Sequence, residues 1–124
     1  MTNLYAPDSY YLASDTERAL VCNGCGSKGL GGFLVPDTLY GLSVTDACQI
    51  HDWMYHAGEN VNDKDEADRV FLNNMIRIID AASSSGPVRW MRRYRAMSYF
   101  AAVRDFGGSA YWLEKNAPDK LIAV

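Results

Sequence analysis

Two stretches with helical periodicity, joined by only about five residues, constrain the fold of this chain more than any other feature. The first spans residues 43–56 and the second spans residues 63–82. The second stretch carries one apolar stripe at helical spacing, formed by Ala67, Phe71, Leu72, Met75, Ile78, Ile79 and Ala82. Because so short a connection keeps consecutive helices together, we expect the two helices to pack side by side and antiparallel.

A third helix and a single domain complete a predicted all-α fold. Pro87 favours the start of a basic, amphipathic helix, which we expect to continue to Asp105. Only residues 33–44 have any potential for strands, and it is weak. The length of 124 residues predicts one domain over 1–124, in which residues 1–13 form a tail that packs on the rest.

The composition and the charge pattern exclude several classes of protein. Hydrophobic residues make up 48% and charged residues 22%, which excludes a disordered chain and a coiled coil. No apolar run reaches the roughly 18 residues of a membrane span, and we expect no secretory signal at the N-terminus. Residues 1–68 hold eleven acids and three bases, whereas residues 69–124 hold four acids and nine bases. The acidic residues of the first half indicate either a cation-binding site or a solvated surface. The basic residues of the second half indicate either binding to an anionic surface or a contribution to solubility.

One face of the first helix carries chemically capable side chains. Four such residues occupy positions i, i+3, i+4 and i+7 of the helix, and this spacing places them on one face. They are Cys48, His51, Asp52 and Tyr55. On this helix alone, a structural histidine in the core beside a solvated aspartate explains the pattern equally well.

Asp68 strengthens the functional interpretation. It lies at the edge of the apolar stripe of the second helix, three residues before Phe71. A carboxylate that faces a core is costly unless it is hydrogen-bonded or paired, and the antiparallel neighbour offers His51 and Tyr55. A buried Asp–His pair fixes the imidazole tautomer and stabilises its protonated form, as in hydrolytic triads. The alternative is that Asp68 belongs to the acidic start of its helix and faces water.

No side chain stands out as the nucleophile of such a pair. Ser27, Ser43 and Cys25 have suitable chemistry, but none lies in a recognisable nucleophile turn, so a water activated by His51 is the simpler hypothesis. The carboxylate of Asp52 can bind a hard cation such as Ca²⁺ if backbone carbonyls provide further oxygen ligands. Residues 22–26 (Cys-Asn-Gly-Cys-Gly) provide such carbonyls, because glycine lets the chain curl around an ion.

Three motifs together resemble the small calcium-dependent phospholipase A2 superfamily, and especially its compact bacterial, phage and viral-capsid members. Residues 22–26 resemble the calcium loop of that superfamily. Residues 46–55 resemble its catalytic helix, Cys-x-x-His-Asp-x-x-Tyr, and residues 66–74 resemble the helix that carries the partner aspartate. The chain departs from the secreted members in its few cysteines and its longer loop before His51, and Asn23 stands where they have a cysteine.

The resemblance implies a specific reaction and a role for each catalytic residue. His51 would be the general base that deprotonates water, Asp68 would orient it, and Tyr55 would be bonded to Asp68. The backbone N–H of Gly24 would help to hold the oxyanion. The implied reaction is hydrolysis of the sn-2 ester of glycerophospholipids, with the phospholipid membrane surface as a peripheral, transient partner.

The resemblance also implies calcium as the cofactor. The ion would polarise the ester carbonyl. Its implied ligands are the side chain of Asp52 and the backbone carbonyls of Cys22, Gly24 and Gly26.

Two other functions compete with this one. The first is a small binding module with a structural zinc site. Its four ligands would come as two pairs, Cys22 with Cys25 and Cys48 with His51. That interpretation leaves Asp52, Tyr55 and Asp68 unexplained. A catalytically inactive phospholipase-like scaffold is the second alternative, because such a scaffold could keep the same residues. With three cysteines, at most one disulfide can form within the chain, and we expect Cys48 to lie near Cys22 or Cys25.

The third predicted helix has two interpretations. Its arginines are interleaved with large apolar residues, namely Trp90, Met91, Tyr94, Tyr99 and Phe100. Such a helix could dock on an anionic bilayer, or it could place its aromatic side chains in the core and its arginines in solvent. We favour the second, because a small domain needs its aromatic residues for the core. The acidic chain carries no recognition motif for nucleic acid, and we expect no such partner.

Overall fold

The computed structural model describes residues 3–22, 36–83 and 85–112. This part of the chain is mainly helical and has one small two-stranded sheet, so the predicted largely all-α fold is confirmed at that level. Its elements, in chain order, are α1 (Asp8–Leu12), α2 (Asp15–Val21), β1 (Thr38–Leu39), β2 (Leu42–Ser43), α3 (Thr45–Ala57), α4 (Val61–Ala82), α5 (Gly86–Phe106) and α6 (Gly108–Trp112).

Three long helices form the body of the fold, and α4 packs against both α3 and α5. Side-chain pairs show the direction of each helix relative to α4. On α3, His51 contacts Asp68 and the later Tyr55 contacts the earlier Lys64, so α3 and α4 are antiparallel, as predicted. On α5, Arg93 bonds to Asp80 near the end of α4, whereas the last turn of α5 lies at the start of α4. The helix α4 is therefore the centre of an antiparallel three-helix arrangement.

Local polar contacts define where the helices begin. The side chains of Ser14, Asn60 and Ser85 accept hydrogen bonds from backbone N–H groups in the first turns of α2, α4 and α5. Because Asn60 caps α4, this helix starts two residues earlier than the predicted residue 63. In α5, Pro87 lies in the first turn, where its missing N–H costs nothing.

The main core lies between α3, α4, α5 and the hairpin. It contains the buried residues Leu39, Val44, Ala47, Cys48, Phe71, Met75, Ile79, Ala96, Tyr99 and Val103. The predicted stripe of α4 supplies Phe71, Met75 and Ile79 to this core, whereas Ala82 at its end is exposed.

The hairpin forms inside the only segment for which strands were expected. Its turn places Tyr40 at a φ of 47° and Gly41 at a φ of 84°. Two successive positive φ values are typical of the tight turns that match the twist of paired strands. The hydroxyl of Tyr99 donates to the carbonyl of Thr38 at 2.7 Å, which attaches the hairpin to α5.

The N-terminal segment packs on the body of the protein and also forms the short helix α1. The buried side chain of Asn74 accepts from the N–H of Tyr5 at 2.7 Å and donates to the carbonyl of Tyr5 at 2.8 Å. In addition, the indole N–H of Trp53 donates to Ser9 Oγ. Both contacts fix the segment across α3 and α4.

The orientation of α5 differs from the favoured prediction. Tyr99 is buried as expected, but Trp90 and Tyr94 are exposed. The positions that pack against α4 include the small residues Ala96 and Val103. Close packing of two helices favours small side chains at the contact, and this turns the larger aromatic residues outward.

None of the described helices combines the length and the apolar composition needed to cross a bilayer.

Candidate functional site

Asp68 is the centre of a buried polar network between α3 and α4. Its exposed fraction is 1%. One carboxylate oxygen, Oδ1, lies 2.8 Å from His51 Nε2 and accepts a hydrogen bond of 2.7 Å from the hydroxyl of Tyr55. The other oxygen, Oδ2, accepts a bond of 2.8 Å from Nζ of Lys64. The predicted chain of His51, Asp68 and Tyr55 is therefore present, and the alternative of a solvated Asp68 is wrong.

The hydrogen bonds decide the charge of this carboxylate. Burial acts to raise the pKa of Asp68, but the hydrogen bonds from His51, Lys64 and Tyr55 outweigh it and hold the pKa below the ordinary value of 3.8. The carboxylate is therefore ionised at neutral pH. Burial, reinforced by the nearby Asp68 charge, raises the pKa of Tyr55, so its hydroxyl keeps the proton that it donates.

The ionised carboxylate also determines the tautomer of His51. An ionised Asp68 can only accept hydrogen bonds, so Nε2 of His51 must carry the proton that lies between them. In the neutral ring, the lone pair is then on Nδ1. No residue in the described part of the chain makes a hydrogen bond to Nδ1. The ring is held between Tyr55 and Phe71, with centroid distances of 4.2 and 4.7 Å. His51 is thus a fixed imidazole with one basic nitrogen available.

Lys64 is the member of the network that the sequence analysis missed. It is only 6% exposed, and its ammonium donates to Asp68 and to the carbonyls of Val103 and Arg104 in the last turn of α5. All three of its protons thus have an acceptor, and the carbonyl end of a helix favours a positive charge. The four-residue spacing from Lys64 to Asp68 was visible in the sequence as a helical ion pair. Its burial was not, because the carbonyls come from a helix about 40 residues away.

Close packing around Tyr55 supports its position. A side chain at Gly107 would place its Cβ 2.7 Å from the Tyr55 hydroxyl, so the absence of a side chain there lets the chain between α5 and α6 approach the site. The ring of Tyr111 in α6 packs edge-on against Tyr55 at 5.1 Å. The hydroxyl of Tyr111 in turn donates to the carbonyl of Asn60 at 2.6 Å. The end of the described chain therefore closes over the network.

The predicted calcium ligands are described only in part. Asp52 is half-buried on α3, next to His51, and Cys22 is the residue that ends α2. Burial and the negative charge of Asp52 raise the pKa of the Cys22 thiol to about 11. The thiol donates to the carbonyl of Gln49 at 3.2 Å, so Cys22 has its backbone carbonyl, and not a thiolate, to offer an ion. Gly24, predicted both as a ligand and as an oxyanion donor, and Gly26 lie outside the described residues.

The chemistry of this donor set fits a hard cation. Calcium prefers oxygen ligands, and one carboxylate with neutral carbonyls and waters is a common set for it. Within residues 3–22, 36–83 and 85–112, no three His, Cys, Asp or Glu side chains converge as a metal site. A calcium site with a single carboxylate does not need such a group.

The zinc alternative finds less support in the described residues. Cys48 is disulfide-bonded, and the other cysteine in the described part of the chain, Cys22, is a protonated thiol. Zinc binds cysteine as a thiolate, so Cys48 cannot be a ligand while its disulfide is intact. The bridge at Cys48 is within the expected limit of one disulfide; the remaining cysteine, Cys25, lies outside the described residues.

Comparison with family models, with curated proteins and with solved structures gives no match to this chain. The case for its function therefore depends on the motifs in the sequence and on the geometry of the network.

Proposed function

We propose that this chain is a calcium-dependent phospholipase A2-like hydrolase that cleaves the sn-2 ester of glycerophospholipids. The observation that carries the proposal is the buried network in which Asp68 binds His51 and Tyr55 across two antiparallel helices. A buried carboxylate on a histidine tautomer with one available basic nitrogen is the arrangement that general-base catalysis requires. The position of Asp52 directly after His51 supports a cation beside that base.

In the proposed mechanism, His51 acts through its Nδ1 atom. Nδ1 accepts a proton from a water molecule as the oxygen of that water attacks the ester carbonyl. Asp68 holds the opposite side of the ring in place and stabilises the imidazolium that forms. When the tetrahedral intermediate collapses, His51 returns the proton to the leaving alcohol, so that a free fatty acid and a lysophospholipid are the products. Tyr55 and Lys64 keep Asp68 ionised and correctly oriented.

Calcium would supply the charge that the buried network lacks on the substrate side. When bound, it polarises the ester carbonyl and stabilises the developing oxyanion. Asp52 and the carbonyl of Cys22 are the described residues that would hold it. The carbonyls of Gly24 and Gly26, with the N–H of Gly24 as an oxyanion donor, complete the proposed set.

A fatty-acid release assay on phospholipid vesicles tests the proposal. We expect release in the presence of Ca²⁺, none in excess chelator, and a loss of at least about 100-fold in His51→Gln. His56→Gln is the matched control, because His56 is the other histidine of the chain, lies exposed on the same helix and should keep full activity. Full release in chelator or by His51→Gln would overturn the mechanism. No release by the unaltered protein would instead favour the inactive scaffold.

Calorimetry tests the calcium ligand separately. Asp52→Asn should remove calcium binding and hydrolysis together, because it removes the only carboxylate of the proposed set. Asp65→Asn, an exposed change of the same kind on α4, should alter neither. Unchanged calcium affinity in Asp52→Asn would show that the ion, if it binds, binds elsewhere.

A further inference from the structure

The outer side of α5 carries a row of exposed apolar side chains. Trp90, Tyr94 and Met97 are 67%, 65% and 51% exposed, and their spacing of four and then three residues places them on one face. The rings of Trp90 and Tyr94 stack at a centroid distance of 5.8 Å. Met91, beside this row, is also exposed. Single exposed apolar residues are ordinary, but a contiguous row with an aromatic stack marks an interaction surface.

Arginines lie along both edges of this row. On one edge, Arg93 makes a two-pronged hydrogen bond to Asp80, and Arg89 lies 3.9 Å from the same carboxylate. On the other edge, Arg95 lies over the ring of Tyr40 and donates to its hydroxyl. The sequence of α5 contains five arginines and a single acid, Asp105. Asp105 pairs with Arg104, and Asp80 from α4 is shared by Arg89 and Arg93, so the helix together with Asp80 keeps a net positive charge.

We infer that the outer face of α5, made of Trp90, Met91, Tyr94 and Met97 with Arg93 and Arg95 at its edges, docks on an anionic phospholipid bilayer. Indole and phenol rings favour the headgroup region, where the ring is partly desolvated and its polar atom stays hydrated. Arginine pairs with lipid phosphate, and each basic residue near an anionic surface adds to binding. Aromatic residues with arginines at both edges match such a surface in both polarity and charge.

Charge also argues against a second copy of this chain as the occupant. Two identical faces placed together would bring their arginines into contact, and like charges at an interface are strongly unfavourable. An anionic bilayer has the opposite charge and offers phosphates along the whole row. From Trp90 to Met97 the row is about 10 Å long, so the helix would lie flat with these side chains in the headgroup layer.

The inference deepens the proposed function, on which it rests for the choice of a lipid partner, and binding can be measured without turnover. Vesicles of ether-linked phosphatidylcholine, with or without ether-linked phosphatidylglycerol, have no ester to cleave. We expect the protein to sediment with the anionic vesicles far more than with the neutral ones, and added salt should release it. The double variant Trp90→Ala/Tyr94→Ala should bind at least tenfold less, and Arg95→Gln roughly fivefold less.

Two control variants change similar side chains elsewhere on the surface. Tyr11→Ala/Leu12→Ala removes an exposed aromatic–aliphatic pair from α1, and Arg69→Gln removes an exposed charge from α4. Both should bind anionic vesicles like the unaltered protein.

Three results would overturn the inference. They are unchanged binding by Trp90→Ala/Tyr94→Ala, equal binding to neutral and anionic vesicles, and a dimer in sedimentation experiments that this double variant dissociates. The proposed function fails separately, if the protein binds ether-linked vesicles through this face but releases no fatty acid from ester-linked ones.

Discussion

Both halves of α4 bury side chains in the interior, but the two sets differ in chemistry. The first half buries Lys64 and Asp68 in the polar network, with His51 and Tyr55 from α3. The second half buries the apolar side chains Phe71, Met75 and Ile79 against α3 and α5. Both halves come from one uninterrupted helix and pack against the same neighbouring helices.

The difference teaches that burial alone does not identify what stabilises the fold. Each apolar side chain of the second half gains free energy by leaving water. In the first half, the desolvation of two charges offsets most of the gain from their attraction, and well-packed apolar residues there would often be at least as stable. A buried network that contributes little net stability, although its charged groups are hydrogen-bonded, is typical of a functional site.

The largest expected effect comes from breaking the polar half. Lys64→Met keeps most of the volume of the side chain but leaves Asp68 Oδ2 and the last carbonyls of α5 without their donor. We expect the free energy of unfolding to fall by about 3–5 kcal/mol, measured by urea denaturation. Arg69→Met, which removes an exposed charge from the same helix, should change it by less than about 0.5 kcal/mol. Equal stability of the two variants would mean that the ammonium of Lys64 does not hold the network together.

The apolar half should lose stability without losing chemistry. Met75→Ala removes a fully buried side chain and leaves a cavity, so we expect a loss of about 3 kcal/mol in thermal or urea unfolding. The rate of fatty-acid release per folded molecule should not change, because Met75 belongs to the apolar core cluster and is no member of the hydrogen-bonded network. Met97→Ala, the same change at an exposed position of α5, should leave stability almost unaltered. A large fall in turnover for Met75→Ala would contradict this separation of the two halves.

The pH dependence of stability sharpens the comparison further. The pKa of Asp68 is lower in the folded protein than in the unfolded chain, so its ionised form favours folding. Its contribution is complete above the unfolded pKa and is lost as the pH falls through the folded pKa. We therefore expect Asp68→Asn to cost about 2 kcal/mol near pH 7, because hydrogen bonds to a charged group are lost.

That cost should shrink as the pH falls below the ordinary pKa of 3.8, because the unfolded chain then takes up a proton at this carboxyl before the folded protein does. Urea denaturation at a series of pH values measures it, with the exposed Asp65→Asn as the reference. A cost that stays constant from pH 7 to pH 3 would show that the charge of Asp68 is not what the network stabilises.

The smallest expected effects come from one matched pair of changes. Tyr55→Phe removes one oxygen from the polar half, and Ile79→Val removes one methylene from the apolar half. Each should lower the free energy of unfolding by about 1 kcal/mol. Only Tyr55→Phe should also lower the rate of fatty-acid release, because it alone removes a donor that orients Asp68. If both variants slow hydrolysis equally, the difference between the halves does not extend to function.

Periodicity explains why much of this could be predicted from the sequence. The stripe of α4 and the short connection before it predicted an antiparallel pair of helices. Given that pair, helical spacing alone placed His51 and Tyr55 opposite Asp68. These contacts depend only on the phase of two neighbouring helices, which a sequence reveals directly.

The orientation of α5 and the role of Lys64 could not be predicted in the same way. Two faces of α5 carry apolar side chains at helical spacing, Ala96 with Tyr99 and Val103 on one and Trp90 with Tyr94 and Met97 on the other. Hydrophobicity favours the larger aromatic set for the core, whereas close approach to α4 selects the smaller residues. The partners of Lys64 are backbone carbonyls, which have no signal in the sequence.

The bonds from Lys64 to Val103 and Arg104 also define the smallest unit that could be transplanted. A helical hairpin made of α3 and α4 alone would contain His51, Tyr55 and Asp68, and so every residue of the predicted hydrogen-bonded chain. It would lack the two carbonyls that hold the ammonium and the glycine that lets the chain pass Tyr55. A designer who wishes to graft this site onto another scaffold must therefore carry over the end of α5 as well. In engineering terms, the motif is local, but the module that makes it work extends at least to residue 107.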